Sequence, residues 1–284
     1  GSNYRGLVRG FVDLSYVDGQ TVELLHRFPN EQPEKFKNMA AELVATGIDV
    51  LIGVGANAAP YAKNATQTIP VVFVLVSDPI GSGLVRSLAR PEANVTGLSN
   101  SARDIIGKRV ELFREMIPQL SRVALLVNAN AKIAPSYADT LRTAATALGL
   151  EGSVFEWRTP DELEPVFGSM KAAGTQAIVI APDGLGYTHR NRIAELAVAR
   201  QMALSGWSRE ILEAGALMTY GADQEAQCQR AAVYVDRLLK GAKPGDLPVE
   251  QPTKFQLLIN LRTAKALGLA IPASIFSRTD EVVE

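Results

Sequence analysis

The sequence has little cysteine and little histidine, and its charges nearly cancel. Cys228 is its one cysteine, which excludes an intrachain disulfide and a cysteine-rich metal site. His26 and His189 are its two histidines, too few for a histidine-rich metal site. Lys and Arg total 29 against 30 Asp and Glu, so no excess of positive charge marks a nucleic-acid surface or a polybasic membrane patch. No run approaches the roughly 20 apolar residues of a membrane-spanning helix. We therefore expect no metal and no nucleic-acid partner.

What is present is typical of a folded α/β protein. Hydrophobic residues make up 47% of the 284-residue chain, and at roughly 150 residues per domain this length suggests about two domains. The segment "VVFVLVSDPIGSG" (71–83) begins with six apolar residues and ends in turn formers, a pattern that indicates a strand buried on both faces of a sheet. Similar short runs recur along the chain. Strands are predicted at 49–55, 71–76, 122–128, 151–158, 176–183, 202–207, 216–221 and 255–260.

Between these strands, apolar residues recur at the spacing of an α-helix. Gly47 supplies a C-cap for the first of the helices, and Pro118 closes a later one. Repeated strand–helix–strand units predict doubly wound parallel sheets with right-handed crossovers. Helices are predicted at 35–48, 58–68, 101–117, 136–150, 161–174, 187–201, 223–241 and 261–269.

Polar residues follow several of the predicted strands. In this architecture ligands bind at the carboxyl ends of the strands, so Ser77 and Asp78 lie where a site is expected. A serine or aspartate in such a position also serves as a helix N-cap, and both roles stay open. Asn128 would either hydrogen-bond a ligand or close a turn, and Asp223 would either contact a ligand or cap its helix.

The alternative hypothesis is a nicotinamide-nucleotide-binding enzyme, and it comes from "GVGANA" (53–58), a G-x-G-x-x-A motif after a strand. Asp78 lies about 20 residues further on, as a dinucleotide-binding fingerprint requires. Pro60 in the following helix, Pro79 after Asp78, and the complete helix that precedes the motif all weaken this hypothesis. The same helix N-terminus would bind any small anion, a carboxylate included.

No paired carboxylates, catalytic triad or metal cluster stands out in the sequence. Polar groups at strand ends without a catalytic set favour binding over turnover, so we expect no enzyme activity and no cofactor.

Two long segments carry a family resemblance, and shorter ones extend it along nearly the whole chain. Residues 77–100 ("SDPIGSGLVRSLARPEANVTGLSN") and 238–275 closely resemble ABC-transporter substrate-binding proteins of the tryptophan/tyrosine type. The resemblance implies a type I periplasmic-binding fold, in which two α/β lobes are joined by three hinge crossings and a ligand is held in the cleft between them. The first lobe is then expected to comprise 1–118 plus 221–246, and the second 119–220 plus 247–284.

The resemblance also implies a ligand, a partner and a compartment. It implies a small ligand, an amino acid and notably an aromatic one, with an ABC permease as the partner. A helix N-terminus would suit the carboxylate of such a ligand, and an aspartate its ammonium group. The implied location is periplasmic or lipid-anchored outside the inner membrane, although the sequence opens without an export signal. The implied ligand-binding residues are Ala56, Asn57, Ala58, Ser77, Asp78, Asn128, Pro182, Asp183, Tyr220 and Asp223.

The chain departs from the family at its beginning. Family members have an extra strand and a ligand-facing loop before the segment that matches "NYRGLVRGFVDL" (3–14), and both are missing from this sequence. We expect the first lobe to lack a central strand.

Overall fold

The chain forms two compact units in a computed structural model that describes residues 2–29 and 32–284. Unit 1 consists of Gly1–Ser101 and Asp223–Thr253, and unit 2 consists of Ala102–Ala222 and Lys254–Glu284. The backbone therefore passes from one unit to the other three times.

Helices and strands alternate along most of the chain. Within the described residues, the strands are β1 (Leu51–Val54), β2 (Val71–Val76), β3 (Val95–Ser99), β4 (Arg122–Asn128), β5 (Glu151–Trp157), β6 (Ala177–Ile180), β7 (Ala203–Gly206), β8 (Met218–Ala222), β9 (Phe255–Asn260) and β10 (Glu281–Val283). The helices are α1 (Ser2–Asp13), α2 (Pro33–Ala45), α3 (Ala58–Ala65), α4 (Ile106–Met116), α5 (Ala134–Ala147), α6 (Leu163–Ala172), α7 (Gly184–Thr188), α8 (Arg190–Ala199), α9 (Arg209–Glu213), α10 (Gln224–Leu239), α11 (Leu261–Ala266) and α12 (Ala273–Phe276).

Unit 1 is built on a parallel sheet in the order β1-β2-β3. Every residue of β2 is buried, because α1 and α10 supply the apolar core on one face and α3 supplies it on the other. Burial on both faces is the physical reason for the unbroken apolar run in the sequence. In the described part of the chain the sheet has three strands, and β1 pairs with β2 alone.

Unit 2 contains a seven-stranded sheet in the order β10-β9-β8-β7-β6-β4-β5. Two cores cover its faces, one beneath α4 and α5 and the other beneath α6 and α8. One strand pair departs from the predicted parallel arrangement, because β9 runs antiparallel to β8. The chain re-enters unit 2 at Lys254, directly before β9, so this strand is not delivered by a strand–helix–strand crossover.

The division into units differs from the expected one, chiefly at the first passage. That passage follows Ser101, whereas the family resemblance had implied a boundary at residue 118. Helix α4 belongs to unit 2 because Ile106, Val110 and Phe113 are buried in the core beneath it. The second and third passages follow Ala222 and Thr253, against expected boundaries at 220 and 246.

Helix α1 and strand β3 had no predicted counterpart in the sequence. Glycines make α1 atypical, yet Gly6 and Gly10 are buried against α10, where an added Cβ would collide with backbone carbonyl oxygens of that helix. Strand β3 is only five residues long and contains Gly97, whose Cβ would collide with the carbonyl oxygen of Phe73. Both elements depend on close backbone approach, which hydrophobic periodicity does not report.

No helix within the two described ranges combines the length and the apolar character that a membrane crossing needs.

Candidate ligand-binding site

In unit 1, the sheet brings two predicted groups of residues to one edge. β1 and β2 are adjacent and parallel, so Ala56–Ala58 after β1 and Ser77–Asp78 after β2 leave the sheet at the same end. Helix α10 starts at this edge as well, since Gln227 in its first turns donates from Nε2 to the carbonyl oxygen of Ser99 at the end of β3 (2.6 Å). Asp223, the N-cap of α10, therefore joins the same edge.

The loop after β1 is shaped by its two glycines. Gly55 has a φ of +89°, a left-handed conformation that favours glycine, and a Cβ on Gly53 would lie 2.9 Å from the Cα of Ala59. These glycines allow the turn and the tight packing of α3 on β1. The N–H of Ala59 bonds the Gly55 carbonyl oxygen at 3.1 Å and Pro60 has no N–H, so Ala58 supplies the N–H at the start of α3, where Asn57 and Ala58 are half-buried. This end of α3 is suited to a carboxylate or another small anion.

Asp78 is a buried carboxylate that holds a turn. Its residue is only 8% exposed, and its Oδ1 accepts a hydrogen bond from the N–H of Gly81 at 2.8 Å. A Cβ on Gly81 would clash with the other carboxylate oxygen, so the glycine is required by the aspartate. The bond has the geometry of an N-cap, but turns and not a helix follow it. Asp78 holds this turn together, and Ser77 beside it is buried.

A strained residue lies just before this turn. Leu75 has a φ of +62°, and the register between β2 and β3 shifts at this point. The side-chain amide of Asn100 donates to the Leu75 carbonyl oxygen at 3.2 Å and so supports the bulge. Bulges re-aim the end of a strand, and non-glycine residues at positive φ cluster at functional sites. Sequence reasoning missed Asn100, because β3, which precedes it, was not recognised as a strand.

Unit 2 repeats the arrangement. β4, β6, β7 and β8 run parallel, so their carboxyl ends lie at one edge of the sheet. Asn128 closes a turn there, since its Oδ1 accepts the N–H of Asn130 at 3.0 Å. Its Nδ2 makes no hydrogen bond inside residues 2–29 and 32–284, and the residue is half-buried. The two roles proposed for Asn128 are therefore compatible.

Asp183, which follows Pro182 after β6, caps helix α7. Its Oδ1 accepts the N–H of Gly186 at 2.5 Å. A Cβ on Gly186 would lie 3.0 Å from that oxygen, so a glycine is again found where an aspartate needs room. Pro182 and Asp183 are half-buried at the sheet edge.

Tyr220 contributes an aromatic surface at this edge of unit 2. Its ring stacks on Phe255 with a centroid separation of 5.8 Å and an interplanar angle of 26°. Its carbonyl oxygen accepts a hydrogen bond from Nε of Arg109 at 2.9 Å. The sequence analysis did not identify Phe255 as a site residue. The antiparallel pairing of β9 with β8 brings Phe255 beside Tyr220, and no local sequence pattern indicates this pairing.

Asp223 is the carboxylate best placed to bind a cation. It caps α10, its Oδ1 accepting the N–H of Ala226 at 3.0 Å, as the capping hypothesis predicted. Its Oδ2 has no hydrogen-bond partner in the part of the chain that the structure describes, and the residue is half-buried. All three aspartates thus cap a turn or a helix, and Asp223 keeps one oxygen available.

The dinucleotide hypothesis gains little from this geometry. The helix after the glycine motif spans only Ala58–Ala65 and contains Pro60. Asp78, which would have to bind a ribose, is buried and bonded to Gly81.

Comparisons with known proteins identify the family of this chain. A family model for the ABC transporter substrate binding protein matches residues 2–283. A tyrosine-binding protein of Clostridioides difficile is 24% identical over 266 residues, which cover 93% of this chain and 76% of that protein.

Solved structures show the same fold. A conserved domain protein from Vibrio cholerae O1 biovar El Tor is 26% identical with a TM-score of 0.93, covering 99% of this chain and 94% of that one. An ABC domain from Streptococcus pneumoniae in complex with L-Trp is 25% identical, with the same TM-score of 0.93 and the same coverage of 99% and 94%. The type I periplasmic-binding fold implied by the sequence is confirmed. Because the family match extends over nearly its whole length, the chain belongs to the ABC transporter substrate-binding protein family.

Proposed function

We propose that this chain is the extracytoplasmic solute receptor of an ABC importer and that its solute is an amino acid with an aromatic side chain. The observation that carries the proposal is the half-buried Tyr220–Phe255 stack at a sheet edge that also presents Asn128 and Asp183. The bound L-Trp of the streptococcal relative and the tyrosine of the clostridial one support the same ligand class.

Unit 1 offers groups suited to the polar ends of an amino acid. The N-terminus of α3 offers the backbone N–H of Ala58 and a positive dipole end to the carboxylate. The available Oδ2 of Asp223 offers a charge-assisted hydrogen bond to the ammonium group. Asp78 supports the site by fixing the turn after β2, and its neighbour Ser77 forms part of that turn.

In unit 2, the Tyr220–Phe255 stack offers an aromatic surface suited to the side chain of such a ligand. Aromatic pairs in offset or tilted contact contribute about 0.5–1.5 kcal/mol beyond the area that they bury. This selects aromatic over aliphatic amino acids by about 2- to 13-fold.

The partner of this receptor is an ABC permease, and hinge closure on the solute is the expected motion. We place the protein in the periplasm or on a lipid anchor outside the inner membrane, as family membership implies. Binding followed by release to a permease requires no chemical step, so we propose no enzyme activity and no cofactor.

Isothermal titration calorimetry with L-tryptophan, L-tyrosine and L-leucine tests the ligand class. N-acetyl-tryptophan and tryptophan amide, which lack the ammonium and the carboxylate charge respectively, test the two polar contacts. We expect both aromatic amino acids to bind and each blocked derivative to bind at least tenfold more weakly. Thermal unfolding supplies a second readout, because a ligand at 100 times its Kd adds about 2.7 kcal/mol of stability.

A matched pair of variants tests the aromatic contact. Phe255→Leu removes one ring of the stack, while Phe276→Leu removes an exposed ring in α12. Phe255→Leu should weaken the binding of aromatic amino acids more than the binding of leucine. Phe276→Leu should leave the binding of both unchanged. Absence of binding by any amino acid, or equal effects of the two variants, would contradict the proposal.

A further inference from the structure

A buried arginine in unit 2 lacks partners for most of its donors. Arg109 on α4 is 0% exposed, and its Nε is bonded to the carbonyl oxygen of Tyr220. Its Nη1 and Nη2 are buried and have no hydrogen-bond partner among the described residues. Burial lowers the pKa of the Arg109 guanidinium to about 10, so the group stays protonated at neutral pH.

This positive charge also lacks a counter-charge. No carboxylate within residues 2–29 and 32–284 forms an ion pair with Arg109, and the side chain that acts on it electrostatically is the phenol of Tyr137 on α5. A buried charge without a partner is costly, and removing one partner of a buried ion pair typically destabilises a protein strongly. A bound anion would compensate this charge, whereas a water molecule would satisfy only the hydrogen bonds.

A second unpartnered donor lies on the same face of the sheet. Helix α4 packs on β6 and β8, which flank β7, so β7 lies beneath α4. Ala203 of β7 is buried in one core with Ile106 and Val110 of α4. Ser205, two residues further along β7, faces the same way. Ser205 is 0% exposed, and its hydroxyl has no partner in the described chain.

We propose that Arg109 and Ser205 form a buried site for a small inorganic anion of the size of chloride. Both residues are fully buried and belong to unit 2. The guanidinium supplies charge and the N–H donors of its two Nη atoms, and the Ser205 hydroxyl adds a further donor. A halide ion suits this set because it accepts hydrogen bonds from every direction and needs little space. The site would neutralise the charge beneath α4 and so stabilise unit 2.

Halide-dependent unfolding of the full chain tests the proposal. Tm is measured at constant ionic strength while sodium gluconate is replaced by sodium chloride or sodium bromide. At a halide concentration of about 100 times the Kd, Tm should rise by about 5–10 °C. Crystals grown in sodium bromide should show an anomalous peak within about 3.5 Å of the Arg109 Nη atoms.

Three variants make the assignment specific. Arg109→Met removes the charge and should abolish the halide response. In gluconate this variant should unfold at a Tm no lower than that of the wild type, because apolar replacement of buried charges is often neutral or stabilising. Ser205→Ala should still show a halide-dependent rise in Tm, with a Kd for the halide that is weaker by about tenfold or more. If Arg109→Met does not fold, Ser205→Ala takes its place as the test. Arg114→Met changes an exposed arginine on the same helix and should respond like the wild type.

The proposal is overturned if the wild type shows neither a halide-specific rise in Tm nor a bromide peak, or if Arg109→Met shows the same rise. These measurements need no amino-acid ligand, so their outcome is independent of the proposed transport function.

Discussion

Asp223 allows the two roles of a strand-end aspartate to be separated. Its Oδ1 caps α10 through Ala226, and its Oδ2 is assigned to the ammonium group of the ligand. Asn caps a helix about as well as Asp, so Asp223→Asn keeps the cap and removes the charge. Asp223→Ala removes both.

The magnitudes follow from these contacts. Loss of a charge-assisted hydrogen bond costs about 1.5–3 kcal/mol, which weakens the Kd by about 10- to 150-fold. The free energy of unfolding should fall by less than about 1 kcal/mol in Asp223→Asn, since only the favourable interaction of the charge with the helix dipole is lost. Asp223→Ala should lose about 1 kcal/mol more, because the N-cap is lost as well.

Calorimetry with L-tryptophan measures the first effect and urea unfolding the second. Asp78→Asn and Asp183→Asn are the matched controls, because in both the side chain keeps an oxygen for the observed hydrogen bond to a glycine N–H. We expect these controls to change the Kd by less than threefold, well below the loss of a charge-assisted bond. An Asp223→Asn variant that binds L-tryptophan as tightly as the wild type would refute the assignment and move the ammonium contact elsewhere.

Three further predictions concern stability and reactivity. Gly81→Ala should destabilise the chain by about 1–3 kcal/mol in urea unfolding, because the new Cβ clashes with the carboxylate of Asp78, whereas Gly168→Ala, in an open position inside α6, should stabilise it by up to about 1 kcal/mol. Lys240 lowers the pKa of Asp236 through its hydrogen bond and its charge. The contribution of Asp236 to stability is therefore present at pH values above the ordinary aspartate pKa and is lost as the pH falls through the lowered pKa. Asp236→Asn should therefore flatten the acid limb of a stability–pH curve, and an unchanged limb would count against the ion pair. Burial raises the pKa of Cys228 to about 12, so this thiol should resist iodoacetamide at pH 8 in the native protein and react at once in guanidinium.

The boundaries of several elements were already visible in the sequence. β2, β4 and β9 begin and end at the predicted residues, because each is a run of apolar residues bounded by polar or turn-forming ones. It was also predictable that the polar candidate residues lie at the carboxyl edge of each sheet, since this follows from parallel strand order alone.

The roles of the site residues were not predictable in this way. Asp78 carries the same side chain as Asp223, yet one is buried against a glycine N–H and the other keeps an oxygen available. Phe255 reaches Tyr220 only because β9 returns antiparallel to β8.

Periodicity reports which side of an element is apolar, and it thereby determined the α/β alternation, most strands of both units and the edges at which ligand groups lie. Tertiary structure decided three things that no local pattern encodes. It assigned α4 to unit 2, paired the aromatic rings, and enclosed Arg109 beneath α4 without a carboxylate. Each of these depends on contacts between residues far apart in the chain, and their energies are set by the distance and burial of the partners, which exist only once the chain has folded.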